Sequence, residues 1–211
     1  MRRKKVTIGG VEFDIKIIIV IIIGTVIPML DWYGHNITNT KAYDRIIWYF
    51  IIPMITIIFI FREPVTDYGF KIGNWRVGLM WTVGVCLVMA IILYFFARNP
   101  AMQAYYDARA PKSVGRLIFL TGVDLFGWEF IWRGFTLFAF AYAFGPGAAI
   151  WLQAIPFAFM HLGKPEVETL TTLFGGVGFG FIAWQADSFI YPFLIHWFIA
   201  SYTMLIATGR F

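Results

Sequence analysis

Residues 128–134 read WEFIWRG, so an acid and a base lie within one of the most apolar stretches of the chain, which runs from Leu117 to Phe144. In a bilayer each of these charges would cost about 2.5–3.5 kcal/mol on insertion scales. Glu129 and Arg133 are four positions apart, so they share one face of a helix and can pair. Charges this costly usually face a bundle interior or a wet cavity, where they mark a functional site or a structural ion pair.

The composition is that of a membrane protein. The 211 residues are 60% hydrophobic and 14% charged, with a mean hydropathy of +0.73. Soluble domains are about 45–50% apolar and about 25% charged. Several apolar runs are long enough to cross about 30 Å of hydrocarbon. We therefore predict an all-α, polytopic transmembrane helical bundle that forms a single membrane domain over residues 1–211.

The apolar runs predict about seven spans, with neither an internal repeat nor a linker between domains. These spans cover residues 17–30, 46–61, 77–97, 117–144, 148–162, 170–186 and 192–208. Pro53 predicts a kink in the second span. Gly127 or Gly134 predicts a bend in the fourth, which is long for a single crossing. The longest polar connection, residues 98–116, is interpreted as a loop.

The net charge of +5 includes a basic cluster at positions 2–5. In a membrane protein such a cluster indicates a cytoplasmic anchor rather than a nucleic-acid patch, and residues 1–15 are expected at the membrane surface. With this cluster counted, the basic residues outside the spans divide eight against eight between the two sides, so an inside N-terminus depends on the cluster alone. The single cysteine, Cys86, excludes an intramolecular disulfide and a cysteine-rich metal site.

Two of the three histidines lie in late apolar segments. His161 ends the fifth predicted span and His196 lies in the seventh, while His35 lies in the first loop. A carboxylate with two imidazoles can activate water and stabilise an oxyanion, or bind a divalent metal. A lone histidine at a helix end is more often structural. The buried Glu129 and Arg133 upstream favour a functional group.

In order and spacing, these segments resemble the three motifs of the CPBP family of intramembrane proteases (CAAX proteases and bacteriocin-processing enzymes, also called the Abi family). The first motif, Glu-Glu-x-x-x-Arg followed by Gly, corresponds to residues 128–134. The second, Phe-x-x-x-His, corresponds to Phe157 and His161. The third, His-x-x-x-Asn, corresponds to His196 and Ala200.

The resemblance covers about residues 65–205, with the motif-bearing core helices in residues 117–208. It implies a water-filled cavity within the bundle of a multi-pass integral protein, in a bacterial cytoplasmic membrane. It also implies hydrolysis of a peptide bond in a membrane-associated or terminally processed substrate by a carboxylate- and histidine-activated water. The expected partners are the lipid bilayer and a peptide or protein substrate, with no nucleic acid.

Two positions depart from the family pattern. The first glutamate, usually assigned as the general base, is Trp128 here, and the asparagine of the third motif is Ala200. Glu129 could take over as the base, or Asp124 could assist from one helical turn upstream. Alternatively, the chain is a catalytically inactive relative that serves as a membrane binding, chaperone or immunity-type protein.

The predicted catalytic residues are Glu129, His161, His196 and Arg133. In this hypothesis Glu129 takes a proton from water that His161 orients. His196 donates to the oxyanion, and Arg133 orients the carboxylate. We expect no cofactor, because neither a His-Glu-x-x-His pair nor a Cys/His cluster occurs, although two histidines and a glutamate could hold zinc.

Three aromatic residues are candidates for substrate binding. Trp128 and Trp132 share one face of the fourth predicted span, and Phe157 opens the second motif. The two tryptophans could line a substrate groove or pack into a neighbouring helix.

Overall fold

The computed structural model describes residues 5–211, which form one β-hairpin, eight longer helices and a short 3₁₀ helix at Val65–Tyr68. Three of the four residues of the predicted basic cluster, at positions 2–4, lie outside the described residues, and only Lys5 lies within them. The helices are α1 Ile15–Trp32, α2 Lys41–Phe61, α3 Trp75–Phe96, α4 Pro100–Asp107, α5 (the consecutive stretches Val114–Glu129, Phe130–Thr136 and Leu137–Phe144), α6 Pro146–Phe159, α7 Glu166–Ala186 and α8 Ile190–Ala207. The predicted all-α bundle is confirmed.

All seven predicted spans are helical. Within residues 5–211, five helices are long and apolar enough to cross a membrane, judged by length and composition: α1, α2, α3, α7 and α8. Helix α6 is apolar but shorter. Helix α5 changes from α to π geometry and back along its length. The helices therefore support an integral membrane protein.

Residues 5–14 of the N-terminal segment form a β-hairpin. Strands β1 (Lys5–Ile8) and β2 (Val11–Asp14) pair antiparallel. Gly9 and Gly10 connect them with φ angles of +57° and +80°. A two-residue hairpin loop of this kind needs positive φ at both positions, which glycine adopts without strain. The alternating apolar pattern of this segment is thus the pattern of a two-stranded ribbon.

The prediction of a loop over residues 98–116 is wrong in part, because this connection contains helix α4. Asn99 caps the helix by accepting a hydrogen bond from the backbone N–H of Ala101 at 2.9 Å, and Pro100 occupies its first turn. Both are ordinary signals of a helix start. The buried Tyr106 then packs against the end of α8.

Helix α5 forms the centre of the bundle and packs against α2, α6 and α8. Its π stretch, Phe130–Thr136, is fully buried. Such stretches are a recognised cause of helix kinks and occur often at functional sites. Gly127 allows α2 to approach, since an added Cβ would lie 2.6 Å from the backbone oxygen of Arg45. The segment with the costly charges is therefore the one most shielded from lipid.

A buried ion pair joins α1 to the segment that follows α2. The Lys16 ammonium lies 2.5 Å from a Glu63 carboxylate oxygen, and both side chains are only 5% exposed. The Tyr68 hydroxyl donates to the same oxygen at 2.7 Å. The pair lies on a different set of elements from the histidines, so it serves to hold the bundle together.

Candidate active site

Glu129 connects the two halves of the site. Its side chain is fully buried, and its Oε1 accepts a hydrogen bond from Arg133 Nη1 at 3.1 Å, as the spacing of four predicts. The same oxygen lies 2.6 Å from Nδ1 of His196 on α8. Its second oxygen, Oε2, accepts no hydrogen bond within residues 5–211. One carboxylate oxygen thus couples a cation on its own helix to an imidazole on another.

Arg133 is held inside the bundle by α6 and α7 as well. Its guanidinium carbon lies 3.9 Å from the ring centroid of Phe157, a cation–π distance. Its Nη2 donates to the backbone oxygen of Gly176 at 3.4 Å. The side chain is fully buried. These contacts leave Arg133 little freedom, so it keeps the Glu129 carboxylate in place.

His161 follows the last turn of α6 and is buried. Its Nδ1 lies 2.9 Å from the backbone oxygen of Phe157. Because a carbonyl oxygen can only accept, Nδ1 carries the hydrogen, and Nε2 of the neutral ring is an acceptor. The ring centroid lies 5.9 Å from that of Trp128 and 4.7 Å from that of Phe157. Backbone and aromatic contacts together fix both the tautomer and the orientation.

His196 has the same arrangement with a different partner. Its Nδ1 faces Glu129 Oε1, so Nδ1 donates and Nε2 is again the remaining nitrogen. Its ring packs 5.4 Å from Phe179 and 6.0 Å from Phe157, between centroids. A buried carboxylate on Nδ1 fixes the orientation of an imidazole, as in hydrolytic triads.

Two cavities meet at these histidines. The first, which we call the polar cavity, measures about 410 Å³ and lies among α2, α4, α5 and α8. The second, the apolar cavity, measures about 440 Å³ and lies among α3, α7 and α8. The residues in the walls of both are Tyr106, His161, Lys164, His196 and Ala200. The histidines therefore lie where a polar and an apolar compartment adjoin.

The other predicted residues divide between these surroundings. Trp128 lines the polar cavity and Phe157 the apolar one. Glu129 and Arg133 line neither and reach the cavities only through their neighbours. Trp132 is fully buried and lines a separate cavity beside α1, so the structure does not bring it to the histidines.

Arg45 is a site residue that sequence reasoning missed. Its Nη1 binds both oxygens of Asp124, at 2.9 and 3.0 Å, while Nε and Nη2 bind Asp31 at 3.1 Å. Its guanidinium carbon lies 4.5 Å from the ring centroid of Trp128. Where the family pattern has its first glutamate, this chain therefore has the Trp128 indole, which packs beneath the Arg45 guanidinium. The Asp124 carboxylate, which was expected to assist, is committed to Arg45.

A second polar cluster at the wall shared by the cavities was also missed. The Tyr106 hydroxyl donates to Glu168, with O···O distances of 2.7 and 2.9 Å. The Lys164 ammonium donates to the same carboxylate at 2.6 Å. Burial, together with the adjacent carboxylate, raises the pKa of Tyr106 well above its usual value. Tyr106 therefore remains a protonated donor that ties α4 to α7.

No residues in the described part of the chain are grouped as a metal site would require: among residues 5–211, no three His, Cys, Asp or Glu side chains are close enough to hold an ion. Glu129 and His196 are adjacent, but Nδ1 of His196 is used by the carboxylate. Two engaged Nδ1 atoms and two remaining Nε2 atoms suit the binding of a water molecule.

The structure thus places two histidines in the walls of both cavities, with the buried Glu129–Arg133 pair behind them, in a bundle of apolar helices. Residues 110–202, a little under half of the chain, match the family model described as type II CAAX prenyl endopeptidase Rce1-like. This match confirms the resemblance to the CPBP family of intramembrane CAAX proteases. No curated protein and no solved structure matches the chain.

Proposed function

We propose that this protein is an intramembrane endopeptidase of the CAAX-protease type that hydrolyses a peptide bond in a membrane-associated or terminally processed peptide or protein. One observation carries the proposal: His161 and His196 each have Nδ1 engaged, and both lie in the wall between the polar and apolar cavities. We further propose that it works in a bacterial cytoplasmic membrane and without a metal or other cofactor.

The two imidazoles act on one water molecule. The unprotonated Nε2 of His161 accepts a hydrogen bond from the water and orients it. Nε2 of His196 takes the proton as the water oxygen attacks the substrate carbonyl carbon. The protonated ring then donates to the tetrahedral oxyanion and passes its proton to the leaving amine nitrogen, which breaks the C–N bond.

Glu129 acts through His196 in this mechanism. Because Glu129 is fully buried and lines neither cavity, a water in the cavities reaches the His196 ring rather than the carboxylate. The negative charge at 2.6 Å stabilises the imidazolium that forms during attack. Arg133 keeps the carboxylate in position. Direct proton transfer to Glu129 would need its side chain to turn its Oε2 towards the cavity.

Stabilisation of the oxyanion is incomplete in the proposed mechanism. Ala200 lies in the shared wall and carries no hydrogen-bond donor. Loss of one oxyanion donor typically lowers kcat by about 10²–10³-fold. Ser201, the next residue, lines neither cavity and does not replace it. We expect slow turnover.

A second candidate function is that of a catalytically inactive relative that binds a partner, as a membrane chaperone or immunity-type protein does. Trp128 in place of the first glutamate favours it. So does the pairing of the carboxylates in the cavity walls: Asp124 is held by Arg45, and Glu168 by Lys164. Such a protein would use the same cavities to hold a peptide without cutting it.

The two candidates are separated by expressing wild type, His161→Ala and His196→Ala at matched levels in the native membrane and profiling the termini of membrane and secreted peptides. His35→Ala is the matched control, because His35 is exposed in the first loop. A peptidase predicts that one precursor accumulates in both site variants and not in the control. If all four strains have the same termini while a partner co-purifies from each, the peptidase proposal is wrong.

Metal dependence has its own test. Elemental analysis of the purified protein should find less than one equivalent of zinc, and cleavage should continue after dialysis against a chelator. One equivalent of metal together with loss of activity would contradict the proposal.

A further inference from the structure

Residues of helices α3 and α7 line the apolar cavity. Its apolar lining residues include Met89, Ile92, Phe96, Val167, Phe179 and Ile199. The same cavity is also lined by His161, His196 and the Lys164–Glu168 pair. A volume of about 440 Å³ is within the range of small-ligand pockets, roughly 300–1,000 Å³. The cavity is therefore large enough for one or two bulky apolar side chains.

Two adjacent glycines of α7 have different surroundings. An added Cβ at Gly176 would lie 2.9 Å from the Phe157 ring and 3.1 Å from the Ala154 side chain. Gly176 is thus needed for close packing of α7 on α6. An added Cβ at Gly175 would meet nothing within 4 Å, and Gly175 lines the apolar cavity. The absent side chain at 175 leaves space in the cavity itself.

We propose that Gly175 determines how large an apolar side chain the protein accepts in its peptide substrate, next to the scissile bond. The inference rests on the proposed peptidase function. The occupant is a peptide side chain because the cavity combines an apolar lining with hydrogen-bonding groups. There Lys164, Glu168 and Thr172 can bind peptide amides, which a hydrocarbon tail lacks.

The neighbouring polar cavity suits the rest of such a substrate. Its walls carry Lys41, Arg109 and Lys164. Arg109 has no carboxylate within 4 Å among residues 5–211, and its guanidinium lies over the Tyr105 ring instead. A peptide that crosses the shared wall would put an apolar side chain beside Gly175 and its polar or anionic portion beside these cations.

The chain offers a matched pair of substitutions on one helix. Gly175→Leu extends a side chain into the apolar cavity. Gly178→Leu adds the same side chain one turn later. A Cβ at Gly178 also meets nothing within 4 Å, but Gly178 lines neither cavity. Ile92→Trp narrows the cavity from α3 and provides a second, independent substitution if Gly175→Leu does not fold.

The experiment uses the full chain in lipid nanodiscs and a synthetic peptide library in which Ala, Val, Leu, Phe and Trp are varied at each position. Cleavage is measured by mass spectrometry for wild type, Gly175→Leu, Gly178→Leu, Ile92→Trp and His161→Ala. One methylene in an apolar pocket changes kcat/KM by about 10–200-fold. We expect Gly175→Leu to shift the preference at one position from Phe or Trp towards Ala or Val by at least 10-fold in relative kcat/KM.

The results separate this inference from the proposed function. If every cleavage product of wild type is also formed by His161→Ala, the peptidase proposal fails, and the inference fails with it. If wild type cleaves but Gly175→Leu and Ile92→Trp keep the profile of Gly178→Leu, only the inference is overturned. A size shift in Gly175→Leu that is absent from Gly178→Leu supports it, and Ile92→Trp takes the place of Gly175→Leu only if that variant does not fold.

Discussion

Substitution of Glu129 by Gln should destabilise the protein strongly, whatever it does to activity. The change keeps the shape of the side chain but removes the charge that pairs with Arg133. In residues 5–211 Glu129 is the only carboxylate within 4 Å of that guanidinium, and both side chains are fully buried. Breaking a buried pair at one partner typically costs about 3–5 kcal/mol. For a chain of this length, that corresponds to a fall of roughly 6–20 °C in unfolding temperature.

The assay is thermal unfolding of detergent-purified protein, followed by intrinsic tryptophan fluorescence. Glu129→Gln/Arg133→Met removes both charges and should recover most of the loss, since replacing a whole buried pair by apolar groups is often neutral. Glu12→Gln is the matched control. It removes a carboxylate from the exposed Lys5–Glu12 pair, and such pairs contribute little. Wild-type unfolding temperature for Glu129→Gln, or a double variant no better than the single one, would refute the reasoning.

Three further predictions concern packing and charge elsewhere. Lys16→Met separates the buried pair with Glu63 and should lower the unfolding temperature, measured as above, while cleavage per folded molecule stays at the wild-type level. Gly73→Ala should reduce the yield of folded protein in size-exclusion chromatography, because the new Cβ would lie 2.1 Å from a backbone oxygen and Gly73 has a φ of +59°. The control Gly84→Ala, whose Cβ meets nothing within 4 Å, should behave as wild type. Asp124→Asn should keep most peptidase activity, because Arg45 already holds that carboxylate; a loss as large as that of His161→Ala would show that Asp124 is the base.

Local relations were predictable from the sequence. The apolar runs indicated the helices, and the spacing of four indicated the pairing of Glu129 with Arg133. Both depend on residues close in the chain, whose geometry follows from helix periodicity. The Asn99-Pro100 start of α4 was also readable but was outweighed by the polar composition of its surroundings.

Contacts between distant segments were not predictable in this way. Glu129 and His196 are 67 positions apart, and Arg45 and Asp124 are 79 apart. Which helices adjoin depends on packing of the whole bundle, and spacing carries no such information. Arg45 lies at the polar start of an apolar run, where a cation is common, so nothing in the sequence distinguished it from an ordinary interfacial residue.

The guanidinium of Arg45 above Trp128 determines what a glutamate at position 128 would meet. A glutamate at position 128 would place a third carboxylate beside Arg45, which already binds Asp31 and Asp124. The new side chain would join that cluster instead of remaining available as a base. A glutamate at position 128 that is available as a base therefore requires at least two changes, one at that position and one at Arg45.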